Sequence, residues 1–213
     1  MHLIKHKNNL GIKQDMETKK ELRKQILQKR DALSLQERKQ KSHRIIQTIL
    51  SSEAFQNSDT FLLFASYKSE VDVSELIEFV LQRRKALYLP KVMGEEMEFY
   101  KITSVAQLLD GYCGIKEPKA NPCQKFVAKK EEALFVLLPG AVFDKQGGRI
   151  GYGKGFYDRF LQKLEKEIPK SNLCKIAVAF SCQIVDNGRI KREEHDILPD
   201  YIVTETDIFN CTI

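Results

Sequence analysis

Short apolar runs that alternate with amphipathic patterns dominate the chain from residue 60 onward. An apolar run of about four to eight residues favours a buried strand, and apolar residues three and four apart favour one face of a helix. These patterns predict buried strands at TFLLFAS, ALYLPKV, EALFVLLPGAVFD, CKIAVAF and YIVTE, an edge strand at EMEFYKI, and helices at VSELIEFVLQRR, SVAQLL and GKGFYDRFLQKLEKE. Strands that alternate with helices predict an α/β fold, in which a mostly parallel, Rossmann-like sheet carries helices on both faces.

A pair of helices is predicted before this alternating region. METKKELRKQILQKRDAL has a narrow apolar stripe among charges, formed by Leu22, Ile26, Leu27 and Leu33. Ser34, with Glu37 three residues later, has the pattern of a capping box and predicts the start of a second helix. Residues 1–16 are polar and lack an apolar period, so we expect a flexible arm there and a single α/β domain over residues 17–213. Residues 110–132 are expected to form a loop.

Composition and charge narrow the class of protein. The 213 residues are 42% hydrophobic and carry a net charge of +6, which is typical of a globular protein with anionic partners. Because the lysines are dispersed, solvated helix faces are a better interpretation than a nucleic-acid surface. The five cysteines include no CxxC pair, which favours a reducing compartment. The N-terminal MHLIKHKNNLG lacks the apolar run of a signal peptide, and no apolar stretch approaches the roughly 20 residues that span a bilayer, so we expect a cytoplasmic location.

The segment RIGYGKGFYDR, residues 149–159, contains the candidate chemistry. It follows the most apolar predicted strand and leads into a helix, and this arrangement forms an anion site from backbone N–H groups and the helix dipole. The segment differs from a Walker A loop because Gly155 stands where that loop has a hydroxyl, and from a dinucleotide fingerprint because Phe156 stands at its last glycine. A metal ion would therefore need another ligand, for which Asp158 is the candidate.

A plain glycine-rich connection is the alternative interpretation of this segment. Phe156 and Tyr157, together with Phe160 and Leu161, match the core face of a helix. Tyr152 lies between two glycines and does not fit such a stripe.

The run LPGAVFDKQGGRIGYGKGFYDRFL resembles the signature of the 5-formyltetrahydrofolate cyclo-ligase family. KKELRKQ, FASYKSEVD and EEHDILPDYIVTE are similar to further motifs of that family, in the same order, so the resemblance covers about residues 17–207. It implies a catalytic α/β domain of the architecture shared with sugar-phosphate isomerases and CoA transferases. It also implies an ATP-dependent closure of the formyl group of 5-formyltetrahydrofolate onto N10, through a phosphorylated formyl group.

The resemblance implies a nucleotide site around the glycine segment. Lys19 and Arg23, four residues apart on one helix face, would contact the phosphates, although a solvated basic face remains the alternative. Arg149 and Lys154 would neutralise charge during the reaction and are the implied catalytic residues. The full set of implied ATP contacts is Lys19, Arg23, Arg149, Gly151, Tyr152, Gly153, Lys154, Gly155, Phe156 and Tyr157.

The resemblance also implies a magnesium site and a folate site. Asp158 and Asp196 would hold Mg²⁺; the alternatives are a carboxylate that favours the helix start and a loop carboxylate beside His195. His195 is interpreted as structural rather than catalytic. The implied folate contacts are Ala65, Glu70, Tyr152 and Phe156; for Glu70 the alternative is a carboxylate at the entry to the next helix. Tyr112 or Cys113 stands where some relatives have tryptophan, so the pterin or glutamate contact of that loop is not carried over. Tyr152 replaces a basic residue of some relatives, so polyglutamate affinity is not carried over either.

Two rival functions remain open from the sequence alone. One is an isomerase or CoA transferase of the same architecture, which would not need ATP. The other is a basic RNA-binding module, which would need aromatic residues on an exposed sheet. We expect a monomer that binds 5-formyltetrahydrofolate and ATP, and neither nucleic acid nor membrane.

Overall fold

The computed structural model describes residues 8–121, 124–193 and 196–212. The α-helices of these residues are Asn8–Asp31 (α1), Leu35–Leu50 (α2), Glu53–Gln56 (α3), Ser74–Gln82 (α4) and Phe156–Glu167 (α5). The strands are Thr60–Leu62 (β1), Ala86–Met93 (β2), Glu96–Ile102 (β3), Leu108–Asp110 (β4), Lys116–Pro118 (β5), Leu134–Leu138 (β6), Val142–Asp144 (β7), Arg149–Ile150 (β8), Leu173–Val178 (β9), Ile184–Val185 (β10), Tyr201–Val203 (β11) and Ile208–Asn210 (β12).

The central sheet has seven strands in the order β12-β11-β9-β6-β1-β2-β3. The five strands from β11 to β2 are parallel to their neighbours, while β12 and β3 pair antiparallel at the two edges. The predicted mostly parallel α/β fold is therefore confirmed, as is the edge position of EMEFYKI.

Successive strand residues point to opposite sides of a sheet, so these apolar strands present apolar side chains on both faces. Helices pack on each face and bury them. In β1 and the residue after it, Phe61 and Leu63 pack with the apolar faces of α2 and α4. Leu62 points the other way, into a second cluster with Leu161 and Leu164 of α5. The sheet is buried on both sides, which explains the continuous apolar strand sequences.

The chain order reverses between β1 and β6. From β1 the chain continues to β2 on one side, whereas β6, β9 and β11 follow on the other side. In open α/β sheets, ligands bind beyond the carboxyl ends of the strands at such a switch point. The region beyond the carboxyl ends of β1 and β6, after Leu62 and Leu138, is therefore the favoured ligand position.

The single strand predicted over EALFVLLPGAVFD was wrong. The run is divided at Pro139 and Gly140 into β6, in the central sheet, and β7, in a second sheet of order β10-β7-β8. The Phe143 ring fills the space at Gly140, where an added Cβ would lie 2.3 Å from it. The bend brings the segment after β7 back toward the carboxyl end of β6.

The N-terminal helix packs on this second sheet. Leu22 and Ile26 of α1 are buried with Val142, Ile150 and Val185. The helix begins at Asn8, so the expected boundary at residue 16 was wrong for the helix itself, because extending a helix that has already formed costs little. Residues 1–7 of the expected arm lie outside the described residues, and the division into an arm and a domain stays a prediction.

Several local predictions have clear outcomes. Ser34 caps α2, and Glu37 completes the capping box. The predicted helix SVAQLL is a single 3₁₀ turn, Val105–Gln107, followed by strand β4. The expected loop after residue 110 includes β5, which pairs with β4. Within the described parts of the chain, no helix has both the length and the apolar character needed to cross a membrane.

Candidate functional site

The glycine segment joins β8 to the start of α5, beside the carboxyl end of β6. Arg149 Nη1 donates to the carbonyl oxygen of Pro139 at 3.3 Å, which fixes this position. Gly153 and Gly155 have φ values of 92° and 64°, which a glycine adopts without strain. Gly155 is also the N-cap of α5 and has no side chain to cap the first turn. The N–H groups of that turn therefore point toward the loop, as an anion site needs.

Two arginines lie against this loop from different elements. Arg149 is 7% exposed and donates from Nη2 to Asp158 Oδ1 at 2.5 Å, in the first turn of α5. Arg23 of α1 donates to the carbonyl oxygen of Gly151 at 3.3 Å. A methyl group built on Gly153 would lie 3.3 Å from Arg23 Nη1. The loop is therefore held in a cationic environment.

The two lysines expected at the nucleotide differ in their surroundings. Lys154 is exposed on the glycine segment, and its ammonium group has no ion-pair partner among the described residues. Lys19 forms an ion pair with Glu193 at 2.8 Å. Lys19 lies one helical turn before Arg23, so the predicted common face of α1 turns toward the glycine loop and the chain near residue 193.

Glu70 lies in the loop that follows β1, across the switch point from β6. It is buried, and each carboxylate oxygen accepts one hydrogen bond. The Tyr67 backbone N–H donates to Oε2 at 2.9 Å, and the Tyr152 hydroxyl donates to Oε1 at 2.6 Å. The glycine segment and the predicted folate carboxylate are thus in direct contact through Tyr152.

A buried arginine completes this group. Arg30 of α1 is 3% exposed. Its Nη1 donates to the Tyr152 hydroxyl at 2.9 Å and its Nε to Ser69 Oγ at 3.0 Å. The Ser69 hydroxyl in turn donates to Asp31. We call Arg30, Tyr152, Glu70 and Ser69 the Arg30 network.

Burial sets the protonation of these groups. Loss of solvent raises the pKa of Glu70, against the hydrogen bonds from Tyr152 and Tyr67 and the charge of Arg30. Burial also raises the pKa of Tyr152 and of Tyr157, and the nearby Glu70 charge adds to both shifts. Both phenols therefore keep their protons and act as donors at neutral pH.

The structure places the two predicted metal ligands in separate contacts. Asp158 pairs with Arg149 through Oδ1 only. Asp196 accepts a hydrogen bond from the Glu193 backbone N–H at 2.9 Å and is joined to Asp158 by no contact between described residues. His195 lies outside the described residues. The described residues contain no cluster of three or more His, Cys, Asp or Glu side chains suited to a metal. A magnesium ion that keeps phosphate oxygens and waters needs only one or two carboxylates, so Asp158 fits it.

The remaining folate candidates lie around the start of α5. Ala65 is half-buried just beyond β1. Phe156 packs partly against the core, as the alternative interpretation holds, and its ring centroid is also 6.1 Å from that of Tyr112. The middle loop, where a relative's tryptophan is replaced, therefore reaches the site through Tyr112. Arg159 lies over the Phe156 ring at 5.4 Å.

Sequence reasoning did not identify Arg30, Ser69 or Arg159, and it named Tyr112 only as a replacement for a relative's tryptophan. Arg30 lies seven residues after Arg23 on the same helix, so the spacing alone places both on one face. That spacing was a usable signal for Arg30. Ser69 and Arg159 depend on contacts between distant parts of the chain, and no local pattern marked them.

The fold and the loop define an α/β protein with an anion-binding architecture at the switch point of its sheet. A family model described as the 5-formyltetrahydrofolate cyclo-ligase family matches residues 15–205. The chain belongs to that family, and the resemblance seen in its motifs is confirmed.

Solved structures and a curated relative agree with this membership. The NMR structure of Aquifex aeolicus 5,10-methenyltetrahydrofolate synthetase is 36% identical, has a TM-score of 0.75, and the match covers 91% of this chain and 92% of that one. A 5,10-methenyltetrahydrofolate synthetase structure from Mycoplasma pneumoniae is 28% identical with a TM-score of 0.67, over 88% and 98% of the two chains. The mouse 5-formyltetrahydrofolate cyclo-ligase is 28% identical over 194 residues, which are 88% of this chain and 93% of the relative.

Proposed function

We propose that this protein catalyses the ATP-dependent cyclisation of 5-formyltetrahydrofolate to 5,10-methenyltetrahydrofolate, with release of ADP and phosphate. One observation carries the proposal beyond family membership. The glycine loop has cationic groups on one side, because Arg23 donates to the carbonyl oxygen of Gly151 and Arg149 pairs with Asp158 where the loop enters α5. On the other side, the Tyr152 hydroxyl of the same loop donates a hydrogen bond to the buried Glu70. A phosphate and a pterin bound to these two sides would meet at the same loop.

The chemistry follows from the weakness of a formamide as an electrophile. The formyl oxygen attacks the γ-phosphorus of ATP, the bond to ADP breaks, and an iminium phosphate forms. N10 then attacks the formyl carbon, the carbon–oxygen bond breaks with loss of phosphate, and N10 gives up its proton. The protein aligns formyl oxygen and phosphorus, and alignment is worth about 7–11 kcal/mol in favourable cases.

The residues divide into those that hold phosphate and those that neutralise charge. Lys19, Arg23 and the backbone from Gly151 to Tyr157 would hold the nucleotide. Arg149 and Lys154 would stabilise the charge that develops on the transferred phosphoryl group, so they are the proposed catalytic residues. The exposed ammonium of Lys154 is free to meet an incoming triphosphate.

Magnesium is proposed as the metal that accompanies ATP. Asp158 would hold it and Asp196 would assist. When bound, the ion would neutralise charge on the triphosphate. Arg149 donates only to Oδ1 of Asp158, so Oδ2 remains available to a metal ion, and this supports the assignment.

The folate is proposed to lie against Ala65, Glu70, Tyr152 and Phe156. A buried carboxylate accepts hydrogen bonds from pterin N–H groups well, since it competes with little water. Tyr152 is 45% exposed, so part of it remains accessible to a ligand.

We further propose that the protein acts as a monomer in the cytoplasm. The thiols of Cys113, Cys174, Cys182 and Cys211 are free, which fits a reducing compartment.

The central sheet is covered on both faces by the clusters around α2, α4 and α5, which disfavours recognition of RNA on an exposed sheet.

The test is coupled turnover by the purified protein. We expect ADP to form only when 5-formyltetrahydrofolate is present, together with growth of the methenyl chromophore. Lys154→Ala should abolish most turnover, whereas Lys166→Ala, at an exposed position near the end of α5, should not. ADP formation that is independent of the folate, or methenyl product without ATP, contradicts the proposal.

A further inference from the structure

The Arg30 network contains an arginine whose only described side-chain partners near the site are two hydroxyls. Arg30 is 3% exposed, and its carboxylate neighbour Asp31 lies 4.0 Å away with 61% of its side chain in solvent. The buried carboxylate beside it is Glu70, with the Tyr152 hydroxyl between them. The one described ion pair of Arg30 is thus long and exposed on the Asp31 side, and the buried Glu70 is reached only through a hydroxyl, so charge pairing offsets little of the cost of burying this cation.

Hydrogen-bond chemistry fixes the direction of every proton in this network. A guanidinium group donates and never accepts. The Tyr152 hydroxyl accepts from Arg30 at 2.9 Å, so its single proton is directed to Glu70 Oε1 at 2.6 Å. The Ser69 hydroxyl likewise accepts from Arg30 and donates to Asp31. Arg30 therefore acts on Glu70 through Tyr152.

The same bonds fix the orientation of the Glu70 carboxylate. Tyr152 holds Oε1 and the Tyr67 backbone N–H holds Oε2. An ionised carboxylate has about four acceptor positions, so roughly two remain for a ligand. The direction of the two remaining positions is therefore set by the Tyr67 backbone N–H and by a Tyr152 hydroxyl that Arg30 holds.

We propose that Arg30 is a positioning residue for the folate: by donating to the Tyr152 hydroxyl it directs that proton to Glu70 and holds the carboxylate aligned for ligand N–H groups. This role rests on the proposed function. It concerns binding of the folate and leaves the nucleotide side, with Arg23 and Arg149, unaffected. Among the described residues, the charged and titratable groups around Glu70 are Arg30 and Asp31 of α1, Tyr67 and Lys68 of its own loop, Tyr152 of the glycine segment and Tyr157 of α5, with Arg149 over the Tyr157 ring at 5.8 Å.

The experiment compares Arg30→Met with Arg44→Met, which makes the same change at an exposed position on α2. We expect the KM for 5-formyltetrahydrofolate to rise roughly tenfold to a hundredfold in Arg30→Met, as for a lost hydrogen bond to a charged group. The KM for ATP should stay near the wild-type value. Calorimetry without ATP should show the same weakening of 5-formyltetrahydrofolate binding.

The pH profile separates positioning from general damage. Burial raises the pKa of Glu70 and the charge of Arg30 opposes that rise, so removal of Arg30 should raise this pKa further and move the acid limb of kcat/KM to higher pH. In the Tyr152→Phe background, Arg30→Met should add less than it does in the wild type, because the two residues act along one path.

Arg30→Lys keeps the positive charge but loses the planar guanidinium that donates to two hydroxyls at once. It can therefore replace Arg30→Met in the experiment if that variant does not fold. It should raise the KM for the folate with little movement of the acid limb. A folded Arg30→Met or Arg30→Lys protein with wild-type folate KM and acid limb overturns the role, as do equal rises in both KM values. A wild type that neither binds nor converts 5-formyltetrahydrofolate refutes the proposed function, and the positioning role with it.

Discussion

Gly151→Ala separates the two interpretations of the glycine segment, as a connection or as a phosphate cradle. The backbone of Gly151 lies outside the left-handed region, and an added Cβ would have no atom within 4 Å. Nothing in the folded protein therefore requires glycine at this position. If glycine is needed there, the reason is a ligand that approaches the backbone where the methyl group would stand.

Gly151→Ala should stabilise the fold and weaken the binding of ATP. Replacing a glycine by alanine in a compatible conformation stabilises a protein by about 0.4–1 kcal/mol, through the unfolded chain. For a protein of this size the melting temperature should then rise by roughly 1–4 °C. Displacing a phosphate from one amide donor costs about 1.5–3 kcal/mol, so the KM for ATP should rise roughly tenfold to a hundredfold.

Gly94→Ala, outside the glycine loop, is the control, and Gly155→Ala is the comparison variant inside the proposed cradle. Both positions have positive φ, 64° and 65°, so a side chain costs about 1–2 kcal/mol of stability. At Gly155 the new Cβ would also lie 2.8 Å from Arg159 Nη1, whereas at Gly94 it meets nothing within 4 Å. Gly94→Ala should therefore lower the melting temperature without a change in the KM for ATP.

Thermal unfolding followed by circular dichroism and steady-state kinetics at saturating 5-formyltetrahydrofolate measure both quantities. A Gly151→Ala protein that is as stable as the wild type and has an unchanged KM for ATP would refute the cradle. The glycine loop would then be a connection, and the nucleotide would have to bind elsewhere.

Three further outcomes test other parts of the molecule. Asp158→Asn should need more magnesium for half-maximal rate, measured by a magnesium titration, and a wild-type titration curve would remove Asp158 from the metal site. Burial alone would raise the pKa of Glu205, but the hydrogen bonds from Lys41 and Ser181 hold it below the ordinary value of 4.5. A carboxyl whose pKa is lower in the folded than in the unfolded protein stabilises the fold above the unfolded pKa, and this contribution is lost as the pH falls through the folded pKa. Compared with the wild type, Glu205→Gln should therefore have a lower melting temperature at neutral pH and a smaller decrease on acidification. The exposed Cys113 should alkylate before Cys174, whose pKa burial raises to about 11, and mass mapping that shows the reverse order contradicts this.

Local patterns predicted the elements whose cause is local. EMEFYKI forms β3 with the predicted bounds, because its apolar alternation and the turn residues on either side of it are local features of the sequence. The capping box at Ser34 is likewise a short-range feature. The break in EALFVLLPGAVFD was signalled by Pro139 and Gly140, but the length of the apolar run outweighed that signal.

The contacts of the candidate site depend on the folded topology instead. Tyr152 meets Glu70 across 82 residues and Arg30 across 122 residues. No period or spacing in the sequence encodes such distances. The resemblance named Glu70 and Tyr152 separately as folate contacts, but it could not show that one donates a hydrogen bond to the other, or that a buried arginine stands behind both.

The surroundings of Arg149 bear directly on the proposed reaction. Its side chain is 7% exposed, and an enclosed cation without a counter-charge would cost several kcal/mol. Asp158 supplies that counter-charge from the first turn of α5. A triphosphate on the loop would offer Arg149 a second acceptor of the same sign and would release Asp158 toward magnesium. The ion pair would then exchange partners without leaving either charge unpaired, which explains how a nearly buried arginine remains available to a ligand.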